Sequence, residues 1–462
     1  MLETVSKQSL AASARTVAQS YHLVMHNNHL YVPVHWETEE PGLFPPDQQI
    51  WQLLSRKELR RLGNDVGVLF SNDSELTNFI LMVEQFSDEH EEPITQLLMR
   101  TPNGLRSLQP DGTFGMPPGS FMPNTLTPTL NTDEADKQFI FDVVKGWLNS
   151  EEEAISLLRH LSTALSPGWS AVKYILLLGD GRNGKSLLLK MMEDMFGKKN
   201  ISNVTRQQMA ARLPVCNELS NKLLNIVFDG EMTYVRDSSV EKTLTAGEPA
   251  VVRMLFENGN TVVSTNALFI EGLNLEPKTR DKSGALQKRL ARFWFPNVYK
   301  LDYEFEEKLR SPRMAGAFLA LLIDNFVPRS QLATKLAQTT AAKQLQVEQM
   351  LLNSPIQQFL AHLVFNDPKT ADKLMGTPVM MDSMVTSFMA WRVGEGHSEL
   401  NTTDVKKMFK QAFFTDWKAA RENGKTVNRQ RLIEPKQDTL ALLEYLKGVP
   451  TDETADEPVV DG

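Results

Sequence analysis

Apolar and polar positions alternate along this chain in several distinct regimes. The stretch "MLETVSKQSLAASARTVAQ" has an amphipathic pattern that predicts a helix. "HNNHLYVPVHW" predicts a short hairpin, because Asn27-Asn28 suits a turn between alternating arms. Residues 46–100 read as largely helical, whereas "RTPNGLRSLQPDGTFGMPPGSFMPNTLTPTLN" is dense in Gly, Pro and Asn and predicts irregular chain with short strands. A helical block follows from Glu134 to Leu165, closed by "SPGW". Between residues 170 and 300 strand-like and helix-like patterns alternate, which predicts an α/β core. From about 303 onward the pattern is mostly helical.

The 462 residues allow two to four domains, since single domains usually run to about 100–200 residues. Hydrophobic residues at 41% and charged residues at 23% match an ordinary globular protein. Cys216 is the single cysteine, which excludes a disulfide framework and a cysteine-rich zinc site and suits a reducing compartment. The longest apolar run, "AFLALLI", is too short to cross a bilayer, and the N-terminal stretch has no continuous apolar core of the secretory kind. A cytoplasmic location without membrane contact is therefore expected. The net charge of −8 does not advertise a nucleic-acid binder, so any DNA contact must come from local positive groups or from within an oligomer.

Candidate chemistry begins at "YILLLGDGRNGKSLLLKMMEDMFG". Gly179, Asp180, Gly181, Arg182, Asn183, Gly184, Lys185 and Ser186 match G-x-x-x-x-G-K-[ST], directly after an apolar strand and at the start of an apolar-faced helix. Such a loop wraps a phosphate in backbone N–H groups. Its lysine reaches the β- and γ-phosphates of ATP, and its hydroxyl holds Mg²⁺.

Hydrolysis also requires an acid for Mg²⁺ and a carboxylate to position water. "LLNIVFDGEM" supplies both at the end of an apolar strand, with Asp229 assigned to the metal beside Ser186 and Glu231 to the water. "VVRMLFENGNTVVSTN" predicts a second hairpin around Asn258-Gly259, which either is structural or tracks a nucleic-acid backbone. "ALFIEGLNLEP" is another strand ending near Asn274, and "SGALQKRLARFWFP" brings Lys288, Arg289 and Arg292. An arginine of this kind either reaches a neighbouring subunit's γ-phosphate or is a solvated charge.

In this order the pieces resemble the superfamily 3 helicases, ring-forming AAA+ ATPases of viruses, phages and mobile elements. The similarity is to the phage and poxvirus primase-helicase branch, through "GDGRNGKS", "LRHLSTALSPGW", "NELSNKLLNIVFDGE", "KTLTAGEPAVVR", "NLEP" and "NGLRSLQPDGTF". It covers about residues 95–300. The resemblance implies Lys185, Asp229, Glu231, Asn274 and Arg289 as catalytic residues, with Asn274 the polar sensor and Arg289 a trans-acting arginine. It places Glu248 and Arg253 in the segment leading to a pore hairpin. Arg253, Asn258 and Asn260 stand there in place of the lysine or histidine that grips DNA in relatives. The implied assembly is a homo-oligomeric ring, a hexamer, around single-stranded DNA. The sequence departs from the family where Gly230 separates the two acids, and "VVSTN" makes Asn266 a rival to Asn274.

The expected organisation is an N-terminal mixed α/β domain at 1–133, a helical collar or linker at 134–168, the core at 169–302, a helical C-terminal domain at 303–448 and a disordered acidic tail at 449–462. Residues 1–150 show neither a D-x-D pair nor zinc-ligand spacing, so primer synthesis is not expected and a separate primase would supply it. His22, His26 and His29 read as a polar hairpin rather than a metal cluster. Lys406, Lys407, Lys410, Lys418, Arg421, Lys425, Arg429, Arg431 and Lys436, interleaved with Phe413, Phe414 and Trp417, either bind DNA or form a solvated amphipathic helix. A polymerase or single-strand-binding protein is the expected partner of the acidic tail if it docks at all. Two other functions fit parts of the pattern: a P-loop kinase, and a non-catalytic initiator or scaffold that uses ATP only to assemble.

Overall fold

The computed structural model describes residues 7–26, 29–90, 97–109, 111–117, 121–166, 174–220, 222–230, 238–253, 260–274, 276, 289–336, 339–345, 355–395, 398, 400–422 and 425–447. They fall into two compact units, one formed by the described residues up to 276 and from 289 to 342, the other by those from 343 on. The segment 303–342, expected among the C-terminal helices, therefore belongs with the α/β core. The cause is its apolar face: Met314, Ala317, Phe318 and Leu322 are buried in the same cluster as Trp147, Ile175 and Met192.

The first unit opens with helix α1 (Lys7–Ser20) and strands β1 (Val24–His26), β2 (His29–His35) and β3 (Gln49–Leu53). β1 and β2 pair antiparallel on either side of residues 27–28, as the alternation predicts. Helices α2 (Arg56–Asp65) and α3 (Asp73–Phe86) follow, then β4 (Asp88–Glu89), giving a sheet of order β3-β2-β1-β4. Alternation along β2 separates two faces. Leu30, Val32 and Val34 enter the N-terminal core, while Tyr31 joins Trp51 and Phe121 in a separate aromatic cluster. Residues 46–100, expected to be largely helical, carry α2 and α3 but also β3, β4 and the start of the following strand. "QIWQL" is rich in strand-favouring side chains, and pairing with β2 fixes it as strand. His26 is tied into the fold of this sheet: its Nδ1 lies 2.8 Å from the His90 carbonyl, and burial lowers its pKa.

A second sheet, β7-β6-β5-β8, comprises β5 (Leu97–Thr101), β6 (Gly104–Leu108), β7 (Phe114–Gly115) and β8 (Thr125–Thr129). The helical block is α4 (Glu134–Leu148) and α5 (Glu151–Ser162), continued by a 3₁₀ turn to Leu165. Asp133 caps α4 by accepting from the Asp136 amide, and Ser150 caps α5 from the Glu153 amide.

The core that follows contains β9 (Tyr174–Leu178), α6 (Lys185–Phe196), β10 (Ile201–Ser202), α7 (Arg206–Ala210), β11 (Leu224–Val227) and α8 (Ser239–Thr245). The hairpin strands β12 (Ala250–Arg253) and β13 (Asn260–Val263) come next, then β14 (Leu268–Leu273), β15 (Leu290–Trp294), α9 (Tyr303–Leu309) and α10 (Pro312–Asp324). β10, β11, β14, β9 and β15, in that spatial order, form a fully parallel sheet. β9 lies inside it, every residue buried. Such continuous burial is what an uninterrupted "YILLL" specifies.

The second unit has its own core, in which Phe359, Phe388, Phe409 and Phe413 are almost wholly enclosed. Phe359 and Phe388 meet edge to face with centroids 5.5 Å apart. Helices are joined here by a three-stranded antiparallel sheet in which Phe413–Glu422 and Lys425–Pro435 form a long hairpin. The described residues from 303 onward are otherwise mostly helical, as their pattern predicts; at 413–435 Phe413, Phe414, Thr415 and Trp417 favour strand, and the cross-strand ladder selects it.

Candidate active site

Parallel strands bring their carboxyl ends to one edge of the sheet, where α/β folds bind ligands. Leu178 pairs with Leu273, and Val227 with Glu271. Continuing that register sets Asp229 level with Leu273, and Asn274 level with Gly179. The Gly230 amide donates to the Gly272 carbonyl at 2.9 Å, holding the strand end after Asp229 against β14. The loop, Asp229 and Asn274 thus share one edge although up to ninety-five positions separate them in sequence. Asn266 precedes β14 and lies at the opposite edge.

The loop ends at Gly184, which adopts a left-handed conformation with φ of 96° and gives α6 no side-chain cap. An added Cβ there would come within 2.6 Å of the Trp147 indole nitrogen, so α4 leaves room only for glycine. The uncapped end directs the first-turn N–H groups of α6 outward, a ready anion site reinforced by the helix dipole. The loop is tied from a second side: Asn183 Nδ2 donates to the Phe295 carbonyl at 3.2 Å, and the Tyr299 amide to the Arg182 carbonyl at 2.8 Å.

Lys185 is 7% exposed. Its ammonium donates to the carbonyls of Gly179 and Asp180 and to Asn183 Oδ1, at 2.5, 3.0 and 3.0 Å. Burial lowers its pKa, while the charges of Asp180 and Asp229 act in the opposite direction. Ser186, Asp180, Arg182, Asp229 and Asn274 are exposed at the same edge. Oxygen donors from a hydroxyl and a carboxylate suit a hard divalent cation.

Beneath the edge lies a charge network that sequence reading missed. Arg206 of α7 faces Glu241 of α8 at 3.2 Å and Glu271 of β14 at 3.1 Å, with Tyr174 Oη donating to Glu271 at 3.2 Å. Arg206, Glu241 and Glu271 are each at most 3% exposed. Burial penalises the Arg206 charge, but Glu241 and Glu271 outweigh it and raise its pKa; burial raises that of Glu271. Glu271 also explains the spacer between the two acids. Its Oε1 occupies the space a Cβ on Gly230 would need, so only glycine fits after Asp229. A lone glutamate within "ALFIEGL" was the available signal. A second buried pair, Arg292 to Glu276 with bonds of 2.6 and 2.9 Å, anchors the segment after Asn274 to β15.

Arg289 stands apart from the loop. It immediately precedes Leu290, which pairs with Tyr174 at the amino end of β9, about 13 Å along the strand from the loop edge. Its Nη1 donates to the Lys242 carbonyl of α8 at 3.0 Å. Glu248 is exposed between α8 and β12. The hairpin forms with Arg253 paired to Asn260 in backbone register. Glu231 and Asn258 lie outside the described residues, as does Lys288. In the second unit Lys406 pairs with Asp382 at 2.7 Å, Lys407 pairs with Asp404 at 3.1 Å, and Lys436 donates to the Lys410 carbonyl at 3.1 Å.

No protein-family model matches this chain, and no curated protein matches it in sequence. Among solved structures, its fold is similar to the A form of the apo C-terminal region of NrS-1. The TM-score is 0.51 and the identity 11%, over 92% of this chain and 98% of that one. Another apo structure of that region, of residues 305–718, gives a TM-score of 0.48 at 12% identity over 93% of this chain and 100% of that one. The likeness is one of overall fold, carried across nearly the full length of both chains.

Proposed function

We propose that this chain is an ATP-dependent DNA helicase of the superfamily 3, AAA+ type, translocating on single-stranded DNA as a ring oligomer during viral or phage replication and lacking primase activity. The observation that carries the reading is the convergence of Lys185, Asp229 and Asn274 at one sheet edge, with the uncapped N-terminus of α6 between them.

In this reading the first-turn amides of α6 and the Lys185 ammonium hold the β- and γ-phosphates of ATP. Ser186 and Asp229 hold Mg²⁺, which when bound supplies charge neutralisation of the phosphate oxygens. Glu231 takes the proton-accepting, water-orienting role, and Asn274 fixes the water's position. Arg289, placed at the end of the sheet remote from its own chain's loop, serves the site of a neighbouring subunit. Self-association is supported by the exposed Trp294, Val298, Tyr299, Leu301 and Tyr303, an apolar flank continuous with the strut that ties Tyr299 to the loop. α8 joins the core to the hairpin β12–β13, which contacts DNA through Arg253, Asn258 and Asn260.

The test is ATP hydrolysis with and without single-stranded DNA, for the natural chain and Lys185→Ala. Stimulation by DNA that disappears in the variant supports the motor. Hydrolysis indifferent to DNA favours a kinase, and tight ATP binding without turnover favours an assembly scaffold.

A further inference from the structure

A pocket of about 180 Å³ opens elsewhere in the first unit, on the face of β2 turned away from the N-terminal core. Tyr31, Trp51 and His29 contribute rings from β2 and β3, while Lys199, Lys222 and Glu218 bring charge from the segments flanking β10 and preceding β11. Tyr31 and Trp51 are held by edge contacts to Phe121, with centroids 5.0 Å away in each case, so the aromatic wall is fixed in place. Lys222 Nζ donates to the Lys199 carbonyl at 2.7 Å, bracing the two lysines against each other. Burial pushes the Lys199 ammonium down to about 8, with the Arg100 charge acting in the same direction and Glu39 against it, so a bound phosphate would restore its charge. Rigid rings next to two lysines lining one pocket are a composition that binds a base and its phosphate together.

We propose that this pocket takes a single nucleotide unit, the base against Tyr31 and Trp51 and the phosphate on Lys199 and Lys222. It is distinct from the phosphate loop. The two share no residue, and β10 lies three strands from β9, about 14 Å across the sheet. The unit comes either from a single strand passing over the N-terminal sheet or from a free mononucleotide, and the chemistry of the pocket serves both. The inference is independent of ATP hydrolysis, and its test needs neither ATP nor magnesium.

The full chain is titrated in EDTA with fluorescein-labelled oligothymidylate and, separately, with thymidine monophosphate. Lys199→Glu and Lys222→Glu are compared with Lys199→Arg and with Lys57→Glu, an exposed control on α2. Melting curves confirm that each variant is folded. The expected result is a tenfold or greater loss of affinity in both pocket reversals, with Lys199→Arg and Lys57→Glu retaining wild-type binding. Loss for the oligonucleotide alone assigns the pocket to strand; loss for both probes assigns it to the nucleotide unit itself. Wild-type affinity in the pocket reversals, an equal loss in Lys57→Glu, or no binding of either probe to the natural chain overturns the proposal. As a second readout, ultraviolet cross-linking of a bromodeoxyuridine oligonucleotide should label the peptide carrying Tyr31 or Trp51; labelling confined to other peptides also overturns it.

Discussion

The ammonium of Lys185 donates to the carbonyl of Gly179 over 2.5 Å, so the lysine of the loop closes back on its first glycine. A phosphate in the loop competes for those same protons. Wild-type protein should therefore melt higher with Mg-ATP, by an amount corresponding to about 2.7 kcal/mol at a hundredfold excess over Kd. In Lys185→Ala the thermal shift should vanish and turnover should fall by at least about a hundredfold. An undiminished shift in the variant would place the nucleotide elsewhere.

Gly230→Ala pushes a methyl group into Glu271 Oε1 and to within 2.6 Å of Leu273 Cδ2. Overpacking of this kind costs about 1–3 kcal/mol, and here it also displaces Asp229 from the sheet edge. Denaturant melts should report the lost stability and hydrolysis assays a lower kcat. Wild-type values in both would show that the strand end yields freely.

These two positions illustrate how much could be read in advance. The loop was legible because strand, glycine turn and helix are contiguous in sequence, and Asp229 because it ends an apolar run. The choice between Asn274 and Asn266 depends on which end of β14 meets the loop, which only the register supplies. Arg206, Glu241 and Glu271 lie on three separate elements, and nothing local marks them as partners. The hairpin at 413–435 was missed because its basic and aromatic residues fit a helical face as readily as a strand, and long-range pairing decides between them.

Removing one member of the buried network should cost more than removing its charges together. Arg206→Met leaves Glu241 and Glu271 enclosed without a cation, an expected loss of about 3–5 kcal/mol. Combining it with Glu241→Gln and Glu271→Gln should recover part of that loss in urea melts. Strictly additive penalties would mean that the three side chains are energetically independent.

Arg289→Ala and Lys185→Ala should each abolish turnover in pure form, the former by about a thousandfold or more. Mixed together, the two variants should regain measurable hydrolysis, because some interfaces would pair an intact loop with an intact arginine. No recovery at any mixing ratio would confine Arg289 to its bond with the Lys242 carbonyl.

Cys216 is fully buried, and burial pushes its thiol up to about 11. At pH 8 the native chain should resist iodoacetamide and be labelled promptly once unfolded in guanidinium. Rapid native labelling would reveal that Pro214–Leu219, the 3₁₀ turn carrying Cys216, opens locally.

The strand order of the parallel sheet also governs how the chain can be made. β9, buried at every residue, emerges from the ribosome long before either neighbour, since β14 begins at Leu268 and β15 at Leu290. Until β14 is made "YILLL" has no ladder to join, and the nascent chain carries a bare, aggregation-prone segment through the synthesis of about ninety further residues. Slowing translation between β9 and β15 should prolong that exposure and increase the chain's demand for chaperones.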